Sequence, residues 1–365
     1  MLRLEQRPEA SRLMSLLSPL LAVAITLLLG MALFTILGKD ALSALNVFLV
    51  QPLKDGYALS ELAVKATPLV LIALGLALCF RSNIWNIGAE GQFILGALFG
   101  GRVAMQATEH GSPLIVVPIL CAGVVGGMIW AGIVALLRDR FHTSEILVSL
   151  MLVYVAEMLL GYLVSGPWRD PRGYNFPQSI TFAAVTQIPR LVPGYRVDVG
   201  VLIALALVAV FWVLMFRTYA GFQLQVSGLS PAAARYAGFS ARRAVWTALL
   251  TSGGMAGLAG ALEAAGPLRQ LTPAVPAGYG FAAIIVAFVG RLQPVGIVLS
   301  AILMSLFYIG GELSQSRLGL PKSVTGVFQG LLLFALLACD TLVQQRVRFK
   351  RAQVRAKALP AMGAP

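Results

Sequence analysis

Apolar runs of about 20 residues alternate with short polar segments along almost the whole chain. A helix of that length crosses the roughly 30 Å of hydrocarbon in a bilayer, so each run is a candidate transmembrane span. Two of the runs are short or interrupted. The pattern predicts an all-α, polytopic membrane protein, a single domain over 1–365 with about ten (eight to ten) transmembrane helices, at 15–37, 60–80, 84–101, 113–137, 145–164, 198–216, 244–262, 278–290, 294–311 and 323–343.

Composition supports the membrane class. Hydrophobic residues make up 58% of the chain and charged residues 12%, whereas ordinary soluble domains are roughly a quarter charged. The mean hydropathy is +0.83. Three arginines precede the first run, which raises the alternative of a cleaved signal peptide, but the run is longer than the apolar core of such peptides. We therefore expect 15–37 to be an uncleaved first helix.

The 28 lysine and arginine residues give the chain a net charge of +13. If ten spans alternate from a first segment on one side, seventeen of these residues lie on that side and ten on the other. This excess has the sign of the positive-inside rule, so topology and anionic lipid explain the basicity, and binding to nucleic acid is not needed. We expect both termini, the 217–243 loop and the basic tail at 344–365 to be cytoplasmic.

Polar residues interrupt the apolar pattern at 82–96, SNIWNIGAEGQFILG. Asparagine, glutamate and glutamine are costly inside a bilayer unless they face protein or a wet cavity. The glycines indicate a helix that begins late or is broken near membrane depth. The polar side chains either cap and cross-link helices or line a translocation path. A second Pro- and Gly-rich lead-in at 272–290 also precedes a short run. This layout predicts two inverted-repeat halves of four helices each, at 60–164 and 244–343.

The small and charged residues inside the apolar runs each suit two possible roles. Glycines spaced four apart clear a helix face for close packing, and such faces also permit sliding; the pairs are Gly96/Gly100, Gly123/Gly127 and Gly253/Gly257. Glu61 precedes Lys65 by four residues, which favours an ion pair within one helix. Glu157 and Glu263 either bind a neighbouring helix or contact a solute.

Two polar segments outside the runs suit contact with other molecules. Five prolines in 165–197 prevent a long helix, so this predicted external loop is either a linker with an aromatic membrane anchor or a docking surface for an external protein. In 217–243, Ser230 and Pro231 form a good helix start and Gly238 a helix end. The predicted two-turn helix either lies on lipid or forms a socket for a cytoplasmic motor protein.

Several blocks resemble the permease subunits of bacterial ATP-binding-cassette (ABC) importers, in the group that serves simple sugars, nucleosides and branched-chain amino acids. NIWNIGAEGQFILGA at 83–97 looks like the hallmark of the larger permease in nucleoside-type systems, which depend on a basic membrane lipoprotein. The resemblance spans about 60–311, and its further blocks are TSEILVSLMLVY at 143–154, GPWRDP at 166–171, PQS at 177–179, GLSPAAARYAGFS at 228–240 and GYGFAAIIVAFVGRLQPVG at 278–296.

The resemblance implies a non-catalytic transport subunit in the cytoplasmic (inner) membrane of a bacterium. It would pair with a second homologous permease, with a cytoplasmic ABC ATPase through 217–243, and with an external solute-binding protein or lipoprotein. The chain has no GxxxxGK[ST] run, so ATP and Mg²⁺ would be bound by the ATPase, and the resemblance implies no cofactor for this chain. The Glu-Ala-Ala signature of many importer coupling loops is absent. The expected solute is a purine nucleoside or a simple sugar.

Matching positions carry over two sets of residues from the family. The resemblance implies that the ATPase is contacted by Gly228, Pro231, Ala234, Arg235, Tyr236, Ala237 and Gly238. It implies a translocation path lined by Asn83, Trp85, Asn86, Glu90, Gln92, Tyr279 and Phe281. An aromatic side chain of the second set would stack on a purine or sugar ring, although packing between helices is its commoner role.

Two other classes of protein are alternatives to an importer subunit. An ion-coupled secondary transporter is favoured by the predicted inverted repeat and the intramembrane glutamates, but it leaves 217–243 without a purpose. An intramembrane enzyme needs a nucleophile with a base, or a metal cluster, and the two histidines, His110 and His142, fall in predicted loops.

Overall fold

The structure is a computed structural model that describes residues 2–6, 12–107 and 112–349. The described residues form thirteen α-helices: α1 (Arg12–Ile36), α2 (Ala41–Leu45), α3 (Gly56–Arg81), α4 (Ala89–Gln106), α5 (Val116–Phe141), α6 (Glu145–Ser165), α7 (Val199–Arg217), α8 (Tyr219–Leu229), α9 (Pro231–Tyr236), α10 (Ala241–Glu263), α11 (Tyr279–Val289), α12 (Pro294–Leu318) and α13 (Ser323–Gln344). Short 3₁₀ or π turns lie at Asn46–Val50, Gln51–Leu53, Pro113–Ile115, Ala184–Thr186 and Ala264–Leu268.

All ten predicted runs are helical. Eight helices in the described part of the chain are long and apolar enough to cross a membrane, which confirms the all-α polytopic class. The other two runs correspond to α4 and to α11, which has only 11 residues. α4 begins at Ala89 rather than at the predicted residue 84, because residues 83–88 leave the helical conformation.

The chain divides into two compact units, and each is described by itself. In the described part of the smaller unit, made from residues 1–30 and 330–365, Ser18 Oγ donates to Asp340 Oδ1 at 2.6 Å. There too β1 (Leu2–Gln6) pairs antiparallel with β2 (Gln345–Phe349). The predicted basic tail at 344–365 therefore contributes a strand, and its residues from 350 onward lie outside the described residues, as does His110.

The larger unit, residues 31–329, is built around α10, which packs against α3, α4 and α5. Glycines make these contacts close: a methyl group on Gly96 would overlap the backbone of Gly257, and one on Gly127 would overlap Gly253. The close-packing interpretation of the glycine pairs is therefore confirmed. α3 is the most enclosed span, with 89% of its apolar window buried.

The two predicted halves have the same order of elements. In each, a long helix (α3 or α10) is followed by a non-helical lead-in, a shorter helix (α4 or α11) and two long helices. The lead-ins are residues 82–88 and 269–278. This order agrees with the predicted repeat layout, and the inverted symmetry itself stays a prediction.

The predicted ion pair within α3 is wrong. Glu61 Oε2 instead accepts from Arg196 Nη1 at 3.1 Å, and Lys65 Nζ donates to Glu312 Oε1 at 2.8 Å. Because α3 is enclosed by other elements, Glu61 and Lys65 each pair with a residue of a neighbouring element rather than with each other.

The larger unit has two ends that matter below. We call the end that carries 217–243 the loop end; α3 finishes there, since Gly228 packs on Arg81. We call the end that carries 165–197 the far end; α3 starts there, since Tyr195 packs on Gly56. Both polar segments that the sequence singled out are thus anchored to opposite ends of the same buried helix.

Candidate functional site

The 217–243 segment folds into two short helices at the loop end. Thr218 Oγ1 accepts from the Gly221 N–H at 3.2 Å and begins α8, and Ser230 Oγ accepts from the Ala233 N–H at 3.3 Å and begins α9. Gly238 follows α9 with φ +78°, a left-handed conformation that suits glycine. The predicted start and end of α9 are confirmed. α8 was not predicted, because it follows the α7 span with only Thr218 between them.

The tip of this segment projects away from the rest of the chain. Tyr236 is 98% exposed and Leu229 is 77% exposed, whereas Ala234 is buried and holds α9 in place. The remaining predicted coupling residues of α9 and its end are exposed as well: Pro231, Arg235, Ala237 and Gly238. We call Leu229 together with Pro231–Gly238 the α9 tip.

Gly228 fixes α8 to the end of α3. A methyl group on Gly228 would overlap the Arg81 carbonyl oxygen and lie 2.7 Å from the Ser82 carbonyl carbon. Arg81 strengthens the joint, since its Nη2 donates to Gln225 Oε1 at 3.2 Å and its guanidinium lies 4.8 Å from the centre of the Phe216 ring. α8 is therefore in direct contact with the C-terminal end of α3.

A buried amide network holds the lead-in segment 82–88. Asn86 Nδ2 donates to Gln92 Oε1 at 2.9 Å and to Ser252 Oγ at 3.0 Å, and Asn86 Oδ1 accepts from Gln92 Nε2 at 3.0 Å. Asn86 and Gln92 have no exposed surface. Ser149 Oγ also accepts from the Ile87 N–H at 3.2 Å. The two amides therefore hold residues 82–88 against α4 and α10, and the Ser149 hydroxyl holds them against α6.

The shorter helices α4 and α11 meet at their N-termini. Glu90 lies in the first turn of α4; its Oε1 accepts from the Gly278 N–H at 2.9 Å and its Oε2 accepts from the Gly280 N–H. A side chain on Gly280 would lie 2.6 Å from the Glu90 Cα. Negative charge is stabilised at a helix N-terminus, so one buried carboxylate serves both helices. We call this contact the α4–α11 junction.

The predicted path residues fall into different places. Asn83 is exposed at the loop end. Trp85 is 39% exposed and packs against Phe288 and Phe80, with ring centres 6.2 and 5.3 Å away. Tyr279 is only 2% exposed and lies between Phe93 and Tyr308. Of the seven predicted residues, the structure places Phe281 on the wall of a large cavity.

That cavity lies between α11, α12 and α13 and has a volume of about 490 Å³. We call it the α11–α13 cavity. Gly278 and Phe281 come from the start of α11, Tyr308 and Glu312 from α12, and its remaining wall from α13 includes Gln329. The residues of α12 and α13 on this wall were not predicted from the sequence. They could have been noticed as polar residues at the end of the apolar run that forms α12 and at the start of the run that forms α13.

The 165–197 loop is fixed to the far end by backbone hydrogen bonds. The Ser179 N–H donates to the Leu271 carbonyl at 2.9 Å, and the Phe182 N–H donates to the Arg269 carbonyl at 2.8 Å. Exposed residues remain along it, and Tyr174 is 93% exposed. These hydrogen bonds fix the backbone of the loop to residues 269–271, and both predicted roles of the loop, as a linker with a membrane anchor or as a docking surface, stay predictions.

A basic pocket of about 230 Å³ lies under this loop, and its lining includes Arg190, Arg196, Asp198 and Arg269. Partial burial, together with the charges of Arg190 and Arg196, lowers the pKa of Arg269 from its ordinary value. Arg196 is already paired with Glu61 at the edge of the pocket. The far end therefore presents three guanidinium groups around one opening, an arrangement that attracts carboxylates.

Comparison with known proteins gives a consistent match. The family described as "Branched-chain amino acid transport system / permease component" matches residues 58–337. "Glucose ABC transporter permease protein TsgB13" of Haloferax volcanii is 34% identical over 95% of this chain and 93% of its own length. Two proteins of Bacillus subtilis, guanosine ABC transporter permease proteins NupP and NupQ, are 30% and 27% identical over 87% and 73% of this chain and 91% and 84% of their own lengths.

Proposed function

This chain belongs to the branched-chain amino acid transport system permease family and is a permease subunit of an ABC importer; from that premise we propose how it is driven and what it carries. A separate cytoplasmic ATPase binds ATP and Mg²⁺ and docks on the α9 tip. The chain forms part of the path for a purine nucleoside or a simple sugar, and contributes no catalytic residue and no cofactor of its own.

The exposure of the α9 tip is the observation that supports ATPase docking there. A fully exposed tyrosine and an exposed leucine on a capped two-turn helix have no packing role within the larger unit, and apolar and aromatic residues of this kind anchor protein interfaces. Pro231, Arg235, Ala237 and Gly238 surround them. Because Gly228 and Ala234 are packed while their neighbours are exposed, the tip is presented rigidly, as a docking surface requires.

A contiguous set of contacts runs from α8, next to the α9 tip, to the α4–α11 junction. Gly228 presses on Arg81 and Ser82, and residues 82–88 then lead directly to Glu90 at the α4–α11 junction. We propose that closure of the ATPases displaces α8, and that residues 82–88 transmit the movement to α4 and α11. Rigid shifts of packed helices are the usual form of such transitions.

The proposed solute follows from the relatives. One is named for glucose and two for guanosine, so this chain is proposed to carry a purine nucleoside or a simple sugar. Two relatives come from one organism and both match most of this chain. That pairing supports a second homologous permease as the partner across the path.

The orientation proposed here puts the loop end in the cytoplasm. The excess of lysine and arginine on that side supports it, with both termini on the same side and the protein in a bacterial inner membrane. The far end then faces outward and receives an external solute-binding protein or lipoprotein. Carboxylates of that partner would bind Arg190 and Arg269 at the basic pocket.

Co-purification tests the docking proposal. The host's complex is isolated through a tag on this chain, and the ATPase is quantified in wild type and in Tyr236→Ala, Arg235→Glu and Gly238→Glu. Each variant is expected to lose most of the ATPase while inserting normally, since these residues are exposed. Tyr174→Ala and Arg172→Glu at the far end are matched controls and should retain it. Full retention in all three α9 variants would overturn the assignment.

A further inference from the structure

The α11–α13 cavity has polar groups on its wall whose hydrogen-bonding capacity the fold uses only in part. Gln329 Nε2 is buried and makes no hydrogen bond of good geometry, although buried polar atoms are nearly always paired; its amide lies beside the Tyr308 hydroxyl. Tyr308 donates its hydroxyl proton to the Ala277 carbonyl at 3.2 Å, which leaves its oxygen able to accept. The cavity therefore offers a donor and an acceptor for a bound molecule.

Charges around the cavity are compatible with a neutral occupant. Glu312 lies on the wall and keeps a 60% exposed side chain even though it pairs with Lys65 at 2.8 Å. Lys322 lies on the same wall. Because charges of both signs lie together there, the cavity has no strong preference for an anion or a cation, and Glu312 and Lys322 can both hydrogen-bond the hydroxyls of an uncharged molecule.

One wall of the cavity is aromatic. The Phe281 side chain is 40% exposed, and it lies two residues from Tyr279, which is buried and packs against the partly exposed Tyr308. A flat ring beside planar amide and carboxylate groups is suited to a molecule with one apolar face and hydroxyls at its edge. Each hydroxyl both donates and accepts, so a hydroxylated ring can use Gln329, Tyr308 and Glu312 together.

We propose that the α11–α13 cavity binds the hydroxylated ring of the transported solute, as the free sugar or as the ribose of a nucleoside. Its volume of about 490 Å³ lies within the usual range for small-molecule sites. The proposal rests on the proposed transport function and adds a site to it, with Tyr308, Glu312 and Gln329 as contact residues.

The position of the cavity connects binding with the α4–α11 junction. Gly278 forms part of the cavity wall, and its N–H is held by Glu90. A shift of α4 therefore reshapes the site. The solute would therefore be released from the cavity when the α4–α11 junction moves during the transport cycle.

The test compares solutes with and without ring hydroxyls. The complete importer, with its ATPase and solute-binding protein, is reconstituted in liposomes, and ATP-driven uptake is measured for guanosine against 2′,3′-dideoxyguanosine and for glucose against 2-deoxyglucose. Gln329→Met and Phe281→Leu are compared with wild type, and Phe334→Leu on the exposed face of α13 is the matched control. Gln329→Glu replaces Gln329→Met if the latter does not fold.

The expected result is a loss of discrimination. Gln329→Met should lower uptake of the hydroxylated solute about tenfold, the effect of leaving one buried hydrogen bond unmade, and lower uptake of its deoxy analogue much less. A merely structural defect lowers both equally. If the ratio of the two solutes is unchanged in Gln329→Met and Phe281→Leu, the site is wrong while the transport function stands. If wild type takes up none of the four solutes, the proposed substrate class fails, and the site fails with it.

Discussion

Glu90 Oε1 accepts a hydrogen bond from the backbone N–H of Gly278 at 2.9 Å, across 188 positions of the sequence. Glu90 lies in the first turn of α4, and Gly278 immediately precedes α11. Each helix leaves unpaired N–H groups at its N-terminus, and the carboxylate satisfies two of those on α11. The Glu90 carboxylate therefore joins α4 to α11 at their N-terminal ends.

Replacement of Glu90 should loosen that unit. In Glu90→Gln one of the two N–H groups at the start of α11 would face an amide NH₂, and the charge at the helix N-terminus would be lost. We expect a loss of about 2–3 kcal/mol, seen as a lower thermal midpoint in detergent, with uptake strongly reduced. Glu145→Gln, which removes a partly exposed pair with Arg138, is the control and should cost less than about 1 kcal/mol.

Gly280 should not tolerate a side chain. An alanine there would place its methyl group against the backbone of Glu90, and overpacking of this kind costs about 1–3 kcal/mol. Gly161→Ala in α6 is the matched substitution, because a methyl group at that position meets nothing within 4 Å. We expect the midpoint of thermal unfolding to be lower for Gly280→Ala than for Gly161→Ala. Equal midpoints would mean that the α4–α11 junction is packed less closely than the structure shows.

Gly228→Ala should leave the ATPase bound but reduce the uptake that ATP drives. The new methyl group would displace α8 from Arg81 and Ser82, while the exposed α9 tip keeps its own caps. We expect the ATPase to co-purify at wild-type levels and ATP-driven uptake to fall severalfold. Gly330→Ala, where a methyl group meets nothing within 4 Å, should leave both unchanged. Wild-type uptake by Gly228→Ala would argue against transmission through α3.

Loss of the α9 cap should weaken docking moderately. Ser230→Ala removes the side chain that accepts from the Ala233 N–H, which costs a helix about 1 kcal/mol. Ordering the tip on binding then becomes harder, so ATPase affinity should fall about fivefold, the equivalent of that energy. Titration of the purified ATPase onto the reconstituted permease measures it. Ser316→Ala, an exposed residue of α12, is the control.

Local chemistry made much of this fold predictable. Apolar runs located all ten long or interrupted helices, since spans are defined by length and hydropathy, and the Ser-Pro start and Gly end of α9 act within a few residues. The broken helix after residue 82 was predicted because polar residues and glycines stood where an apolar span was expected. α8 escaped prediction because no breaker stands between it and α7.

Long-range pairing lay beyond the sequence pattern. Glu61 and Lys65 are spaced for an ion pair within α3, yet Arg196 and Glu312 take them, because enclosure by neighbouring elements decides the partner. Glu90 accepts from the backbone N–H groups of two glycines far along the chain, which the sequence pattern does not indicate. Tyr308 and Gln329 are ordinary polar interruptions of apolar runs in the sequence, and only the packing of α11, α12 and α13 brings them to one cavity.

The most direct measurement is uptake by the reconstituted system with its parts supplied one at a time. This chain, its partner permease, the ATPase and the loaded solute-binding protein are placed in liposomes without any ion gradient. We predict uptake of a purine nucleoside or simple sugar that requires ATP and every component, and that Tyr236→Ala abolishes. Uptake by this chain alone, driven by an ion gradient and indifferent to ATP, would contradict the account.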